Sequence, residues 1–218
     1  MSDSIFREVD EEVRRERLQQ LWDRHSGLII AVAVLVVLGV GGWRGYEWWQ
    51  GKKAAESGTA FEAAVALADQ GKSAEAQAAF AKVAADGSAG YRVLARFREA
   101  AALVPTDQAA AVKAYDALAS DSSLGRTLQD LAAVRAGLLL VDTAPLPDLT
   151  ARLEPLTTPD STFRHTAREL LAFAAWRAGD QGAAKRWFDM ITTDAETPSG
   201  VRQRIEVLIA LAGAREKG

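Results

Sequence analysis

An uncharged stretch of 18 residues constrains the fold of this chain more than any other feature of its sequence. It runs from Ser26 to Trp43 and contains the apolar run LIIAVAVLVVLGV. As an α-helix it would be about 27 Å long, close to the ~30 Å hydrocarbon core of a bilayer. Tryptophan, tyrosine and arginine side chains flank this stretch, and such side chains lie at membrane interfaces. The pattern therefore predicts a transmembrane anchor over residues 26–49. The predicted interface residues are Trp22 and Arg24 before the stretch, and Trp43, Arg44, Tyr46, Trp48 and Trp49 at its far end.

A buried core helix and a cleaved signal peptide are the two alternatives to an anchor. A core helix has no need of tryptophans at both ends. A signal peptide has a short basic start and a small-residue cleavage site, and the sequence around this stretch shows neither.

Residues 1–25 are predicted to form an amphipathic helix on the cytoplasmic side.

The orientation of the anchor follows from the basic residues near it. The four arginines nearest to the span on its N-terminal side outnumber the three basic residues that follow it, and this small excess favours a cytoplasmic N-terminus. The residues counted are Arg14, Arg15, Arg17 and Arg24 on one side, and Arg44, Lys52 and Lys53 on the other.

The composition excludes several classes of function. The chain has no cysteine and only two histidines, His25 and His165, so disulfides, thiol nucleophiles and multi-histidine metal sites are excluded. Its net charge of −3 lacks the basic excess of nucleic-acid binders, so no nucleic-acid partner is predicted. No convergent set of titratable residues stands out, and we therefore predict neither catalysis nor a cofactor nor a bound metal.

A recurring pattern follows the predicted anchor. The segments GKSAEAQAAFAKV and GDQGAAKRWFDMI share a glycine, a small residue five positions later, an aromatic four further on and a β-branched residue after three more. Such spacing places the last three positions on one helical stripe, where a small residue lets antiparallel helices approach and the aromatic fills the next gap. The first three positions are Gly71, Ala76 and Phe80 in one segment, and Gly179, Ala184 and Phe188 in the other.

The same pattern occurs twice between these segments. Ala111 with Tyr115 fits it well, and Leu149 with Leu153 fits it more loosely. The four small-residue positions are separated by 35, 38 and 35 residues. Small residues are also expected 12 positions earlier, on the partner helices, where the sequence has Ala64, Glu99, Gly137 and Ala172. Glu99 departs from that expectation.

A period near 35 with this stripe resembles the tetratricopeptide repeat. The fold class predicted is all-α, with a single N-terminal transmembrane helix followed by a degenerate tetratricopeptide-like array. Four helix–turn–helix units are assigned to residues 54–194, and a capping helix with a tail to residues 195–218. The capping helix is predicted to face the array through an apolar set of side chains: Val201, Ile205, Leu208, Ile209 and Leu211.

The whole chain resembles one bacterial family, the ancillary SecYEG translocon subunits, in their alphaproteobacterial form. The similar stretches are GVGGWRGYEWW at residues 39–49 and IFREVDEEVRRERLQQLWDRH at residues 5–25. This resemblance implies a single-pass protein of the bacterial inner membrane, with a cytoplasmic N-terminus and a periplasmic domain. It also implies association with Sec translocon subunits and a membrane-anchored periplasmic chaperone, and contact with exported or unfolded proteins.

Two functions remain open on the residues alone. One is an interaction module whose helical array presents a groove to proteins near the translocon. The other is an assembly factor or accessory subunit of a respiratory or photosynthetic membrane complex.

The residues that could carry chemistry have simpler explanations. His165 is expected to be a surface or capping residue, and Trp187 to pack against the terminal helix rather than to anchor a client. A set of aspartates at predicted helix starts is explained by N-capping: Asp107, Asp121, Asp148, Asp160 and Asp180.

Overall fold

The helical architecture comes from a computed structural model. It describes the backbone of residues 2–215 and the side chains of residue 22 and residues 25–211. Within those bounds the secondary structure is helical and contains no strand, so the predicted all-α class is confirmed. The helices are α1 (Ser2–Asp69), α2 (Ser73–Asp86), α3 (Ala89–Leu103), α4 (Gln108–Ala119), α5 (Arg126–Leu140), α6 (Leu146–Leu153), α7 (Arg164–Ala178), α8 (Gln181–Thr193) and α9 (Ser199–Arg215). The chain divides into two compact units, Met1–Ala55 and Glu56–Gly218.

The first unit contains a candidate membrane span. The part of α1 from His25 to Asp69 includes an 18-residue window with a mean hydropathy of 2.3, none of it buried. Aliphatic side chains such as Val37 and Leu38 are more than 60% exposed, as side chains that face lipid would be. The predicted interface residues Trp22, Trp43, Arg44, Tyr46, Trp48 and Trp49 are likewise exposed. The side chain of Arg24 and the predicted amphipathic face before Trp22 lie outside the described side chains.

The second unit begins with the last turns of α1, which pack against α2 and α3. The ring of Phe61 lies 5.6 Å from that of Phe80 and 5.8 Å from that of Tyr91. The backbone N–H of Ser88 donates to the Ser57 hydroxyl at 2.8 Å, just before α3 begins. Each of the following helices, from α3 to α8, packs against the next one in the chain. The boundaries assigned to four repeat units stay a prediction.

The residues of the sequence pattern lie in the interior of this unit. Their exposed fractions run from 0 to 7%: Ala76, Phe80, Ala111, Tyr115, Leu149, Leu153, Ala184 and Phe188. Gly71 and Gly179 both have a φ of +74°, where a side chain would be strained. At Gly179, N–H groups return to the carbonyls of Ala175 and Trp176, which ends α7 in a left-handed cap.

The packing of α5 against α6 explains how a leucine replaces the expected small residue. Gly137 on α5 lies opposite α6, and a Cβ added there would come within 2.9 Å of a Leu153 methyl group. Because the glycine has no side chain, Leu149 and Leu153 both remain fully buried. The glycine on the partner helix thus provides the space that the leucines on α6 occupy.

On α3, a small buried residue lies directly after the position where the sequence pattern has Glu99. Ala100 is fully buried and contacts the cluster of Tyr115 and Leu118, while its neighbour Glu99 is half-buried. Ala100 and Ala111 are 11 positions apart, whereas the sequence pattern uses an interval of 12. A fixed sequence interval cannot account for a change in turn geometry.

The capping helix α9 buries only part of its predicted face. Val201, Ile205 and Leu208 pack into the core beside Trp187, which is 2% exposed. The prediction was wrong for Ile209 and Leu211, which are 39% and 51% exposed. Val201, Ile205 and Leu208 form one stripe at i, i+4, i+7, and Leu211 departs from it by about 60° at the free end of the array.

The capping aspartates divide into two groups. Asp107 and Asp180 accept N–H groups three residues later, both at 2.9 Å, and cap α4 and α8. Asp121 similarly caps a short 3₁₀ segment, Ser122–Leu124. The other two are not N-caps: Asp148 lies within the first turn of α6, and Asp160 lies in the turn before α7.

Candidate functional site

Two helices that both pack against α4, namely α3 and α5, expose leucine and arginine side chains one turn apart. On α3, Leu94 is 51% exposed and lies one turn before the exposed Arg98. On α5, the exposed Arg135 lies one turn before Leu138, which is also 51% exposed. Residues three or four apart share one helix face. Each helix therefore presents one cationic and one aliphatic group together.

Tyr115 on α4 brings these two faces into a common site. Its ring is 4% exposed and lies 6.2 Å from that of Phe97 on α3, while Ala132 and Ala136 of α5 belong to the same core cluster. Burial raises the pKa of the Tyr115 hydroxyl, and the positive charges of Arg135 and Arg98 act in the opposite direction. Both positive charges thus act on the same hydroxyl. We call Leu94, Arg98, Tyr115, Arg135 and Leu138 the Tyr115 surface.

The two arginines of this surface, like Arg92, Arg177 and Arg202, differ from most arginines in the helical unit. Among the described side chains, neither Arg98 nor Arg135 forms an ion pair. Several arginines elsewhere do pair with carboxylates: Arg96, Arg126, Arg152, Arg164, Arg168, Arg186 and Arg204. Two exposed cations beside two exposed leucines are suited to contact a partner of mixed apolar and acidic character.

A second candidate is a cleft of about 450 Å³ between α2, α3 and the 3₁₀ segment, lined by Ala85, Arg92, Arg96 and Leu124 among others. Arg96 donates to Asp121 at 2.6 Å, and Asp121 also accepts from the Ser123 hydroxyl and N–H. Together, the Ser123 and Arg96 hydrogen bonds lower the pKa of Asp121 to about 2. Most polar groups of this cleft already have partners within the protein. Their hydrogen bonds mainly attach the 3₁₀ segment to α3.

A charged cluster joins α7 to the turn before α9. Arg168, only 4% exposed, donates twice to the Thr157 carbonyl at 3.0 and 2.8 Å and once to Asp194 at 2.7 Å. The Glu196 backbone N–H and Arg168 lower the pKa of Asp194 to about 2. Because Arg168 and Asp194 find their partners within the cluster, we assign the cluster a structural role.

His165 belongs to this cluster rather than to the surface. Its Nδ1 lies 3.3 Å from the Thr197 hydroxyl and 3.9 Å from an Asp194 oxygen, and its side chain is 14% exposed. Burial lowers its pKa, and the charge of Arg164 acts in the same direction. His165 lies at the start of α7 and is partly exposed, because Thr197 and Asp194 of the segment before α9 lie beside its ring.

The described residues contain no group of three or more His, Asp or Glu side chains arranged to hold a metal ion. Sequence reasoning did not single out Arg98 and Arg135. The available signal was an arginine one turn from a leucine on α3 and again on α5. That signal gains meaning only once the leucines are known to be unburied.

The family comparison covers both units of the chain. A family described as a tetratricopeptide repeat-like domain matches residues 19–205. Its match begins before the apolar stretch and extends into α9, so the candidate span and the paired helices fall within it. No curated protein and no solved structure shows significant similarity to the chain. With 187 of 218 residues inside the match, this chain belongs to the tetratricopeptide repeat-like family.

Proposed function

We propose that this protein is a membrane-anchored interaction module that assists protein export and periplasmic chaperoning at the Sec translocon. The observation that carries the proposal is the Tyr115 surface, where exposed leucines and arginines are held on helices with a packed core. Tetratricopeptide-like arrays typically bind other proteins, and such a mixed surface is suited to that task. Its partners would be translocon subunits, a membrane-anchored periplasmic chaperone and exported chains.

The candidate span supports an action at the membrane. Confining an interaction surface to the membrane raises its effective concentration toward partners in the same bilayer. The proposed location is the bacterial inner membrane, with the N-terminus in the cytoplasm and the helical domain in the periplasm. Support for the translocon in particular comes from the resemblance of residues 5–25 and 39–49.

Site-specific photocrosslinking in native membranes tests this function. A photoreactive phenylalanine derivative would replace Leu94 or Leu138 in the full chain. As a matched control it would replace Arg126, a 74% exposed residue about 180° around α5 from Arg135. We expect translocon subunits and exported chains to crosslink at residues 94 and 138 but not at 126.

Two outcomes would contradict the proposal. Capture of a respiratory or photosynthetic complex at residues 94 and 138 would move the function to the assembly of that complex. An identical set of partners at all three positions would show that the Tyr115 surface does not select them.

A further inference from the structure

We propose that residues 48–53 of α1 form a binding site for the head groups of anionic phospholipids. The site would lie in the leaflet from which the chain leaves the membrane after the candidate span. The inference rests on that span and does not depend on the partner proposed for the helical unit. It starts from two lysines that the helix holds against tryptophan rings.

Each of these lysines lies over the indole ring four positions before it. The Nζ of Lys52 is 5.8 Å from the centroid of the Trp48 ring, and the Nζ of Lys53 is 5.6 Å from that of Trp49. Side chains of a helix tilt toward its N-terminus, which here is the side of the apolar run. A cation–π contact at such a distance holds an ammonium group in position and leaves its charge in place. Both lysines are therefore turned back toward the membrane.

The depth of these ammonium groups matches that of lipid phosphates. The uncharged stretch ends at Trp43, and Trp48 follows it by five residues, or about 7.5 Å along the helix axis. The head-group layer on each side of the hydrocarbon core is about 5–8 Å thick. A bilayer whose hydrocarbon core ends near Trp43 therefore places the ammonium groups in the outer part of this layer, where the phosphates are.

The aromatic side chains of this segment surround the helix. At about 100° per residue, Trp43, Trp48, Trp49 and Tyr46 lie at about 0°, 140°, 240° and 300° around its axis. Each of them is more than half exposed. Tryptophan and tyrosine rings are suited to membrane interfaces, and here they point to every side of the helix. Lipid is therefore the occupant that this segment fits best.

The charge of the segment favours anionic over zwitterionic lipids. Residues 43–53 include three basic residues and one acidic residue, so their net charge is +2. The acidic residue, Glu47, lies 3.5 Å from Arg44 in an ion pair. Lysine binds phosphate as a compact charge, and basic residues beside a membrane attract anionic lipids. The head group of a zwitterionic lipid carries its own cation, which competes with the lysines.

Fluorescence quenching in vesicles tests this site. The natural chain has no cysteine, so Gly51→Cys gives the full chain a single site for a bimane label, and a Cβ at residue 51 meets nothing within 4 Å. The vesicles contain phosphatidylcholine and a small share of phosphatidylglycerol or phosphatidylcholine with a nitroxide quencher on its acyl chain. The ratio of the two initial quenching slopes measures the local enrichment of the anionic lipid. We expect an enrichment of about tenfold from two lysines.

Matched variants separate the site from the overall charge. K52Q/K53Q should reduce the enrichment to about twofold or less, whereas K52R/K53R should retain most of it. K82Q/K113Q removes two exposed charges from the helical unit and should leave the enrichment unchanged. Quenching by the labelled phosphatidylcholine should be equal in all variants, because the apolar run sets the depth of the helix.

The proposal would be overturned if the wild type showed no enrichment, or if K52Q/K53Q kept it. An equal loss in K82Q/K113Q would assign the effect to overall charge and overturn it as well. W48L/W49L retains the lysines and should lower the enrichment about threefold, and an unchanged value would overturn the role of the indole rings. Crosslinking at residues 94 and 138 tests the proposed function independently of these results.

Discussion

Arg204 on α9 holds Glu169 on α7 through two hydrogen bonds, Nε to Oε1 at 2.5 Å and Nη2 to Oε2 at 2.9 Å. The Glu169 side chain is 11% exposed, while that of Arg204 is 56% exposed. A carboxylate so far removed from water requires a charged partner. This pair therefore helps to attach the capping helix to the last helix pair.

Removing the arginine should destabilise the helical unit. We expect Arg204→Met to lower the free energy of unfolding by about 1–2 kcal/mol, since Glu169 would lose its partner while solvent reaches part of the site. Chemical denaturation in detergent, followed by circular dichroism, measures this change. The double variant E169M/R204M should recover part of the loss. Lys185→Met, which breaks an exposed pair with Asp189, should cost less than about 0.5 kcal/mol; an equal cost would contradict the special role of Arg204.

Gly137 and Gly90 should respond in opposite ways to alanine. Both lie within helices, but a Cβ at Gly137 would meet Leu153 at 2.9 Å, while one at Gly90 would meet nothing within 4 Å. Gly137→Ala should cost about 1 kcal/mol because overpacking exceeds the gain in helix propensity. Gly90→Ala should be neutral or stabilise by up to ~1 kcal/mol. Thermal unfolding measures both, and a gain in stability for Gly137→Ala would show that α6 can move away.

The contribution of Asp194 should depend on pH. Folding lowers the pKa of its carboxyl from 3.8 to about 2, so the ionised form stabilises the fold. The effect is complete above about pH 4 and is lost as the pH falls toward 2. Thermal midpoints of the wild type and Asp194→Asn should therefore differ at pH 5 and converge between pH 4 and 2. A difference that stays constant down to pH 2 would exclude ionisation as its cause.

Single cysteines should report the orientation of the anchor, because the natural chain has none. Ser2→Cys lies before the candidate span and Ser73→Cys lies in the helical unit after it, at an exposed position. In spheroplasts we expect a membrane-impermeant maleimide to label Ser73→Cys, and to label Ser2→Cys only after permeabilisation. The opposite pattern would place the helical domain in the cytoplasm and exclude a periplasmic role.

The predicted small and aromatic positions illustrate how far local patterns reach. Ala76 and Phe80 lie on one stripe because a helix returns to the same face every three or four residues, and no other information is needed to place them. On α3 the buried small residue is Ala100 rather than Glu99, and the interval of 12 positions that points to Glu99 crosses a turn. The length and geometry of a turn change the register between helices, and the spacing of residues within a helix does not report this.

The Tyr115 surface lay beyond such reasoning for a related reason. Arg98 and Arg135 are 37 positions apart, and two arginines among 26 basic residues carry no mark of a shared site. Packing of α4 between α3 and α5 brings them to the same tyrosine. Likewise, the exposure of Leu94 and Leu138 depends on which helices cover them.

The sequence by itself determined the apolar helix near the N-terminus, the all-α class and the stripe along each later helix. These properties depend on hydrophobicity and on the 3.6-residue period of a single helix. Only the tertiary structure decided the burial of Ala100, the space that Gly137 leaves for Leu153, the partial burial of His165 and the packing of α3 and α5 around Tyr115. Each of these depends on how separate helices pack, and packing is set by many contacts between residues far apart in the chain.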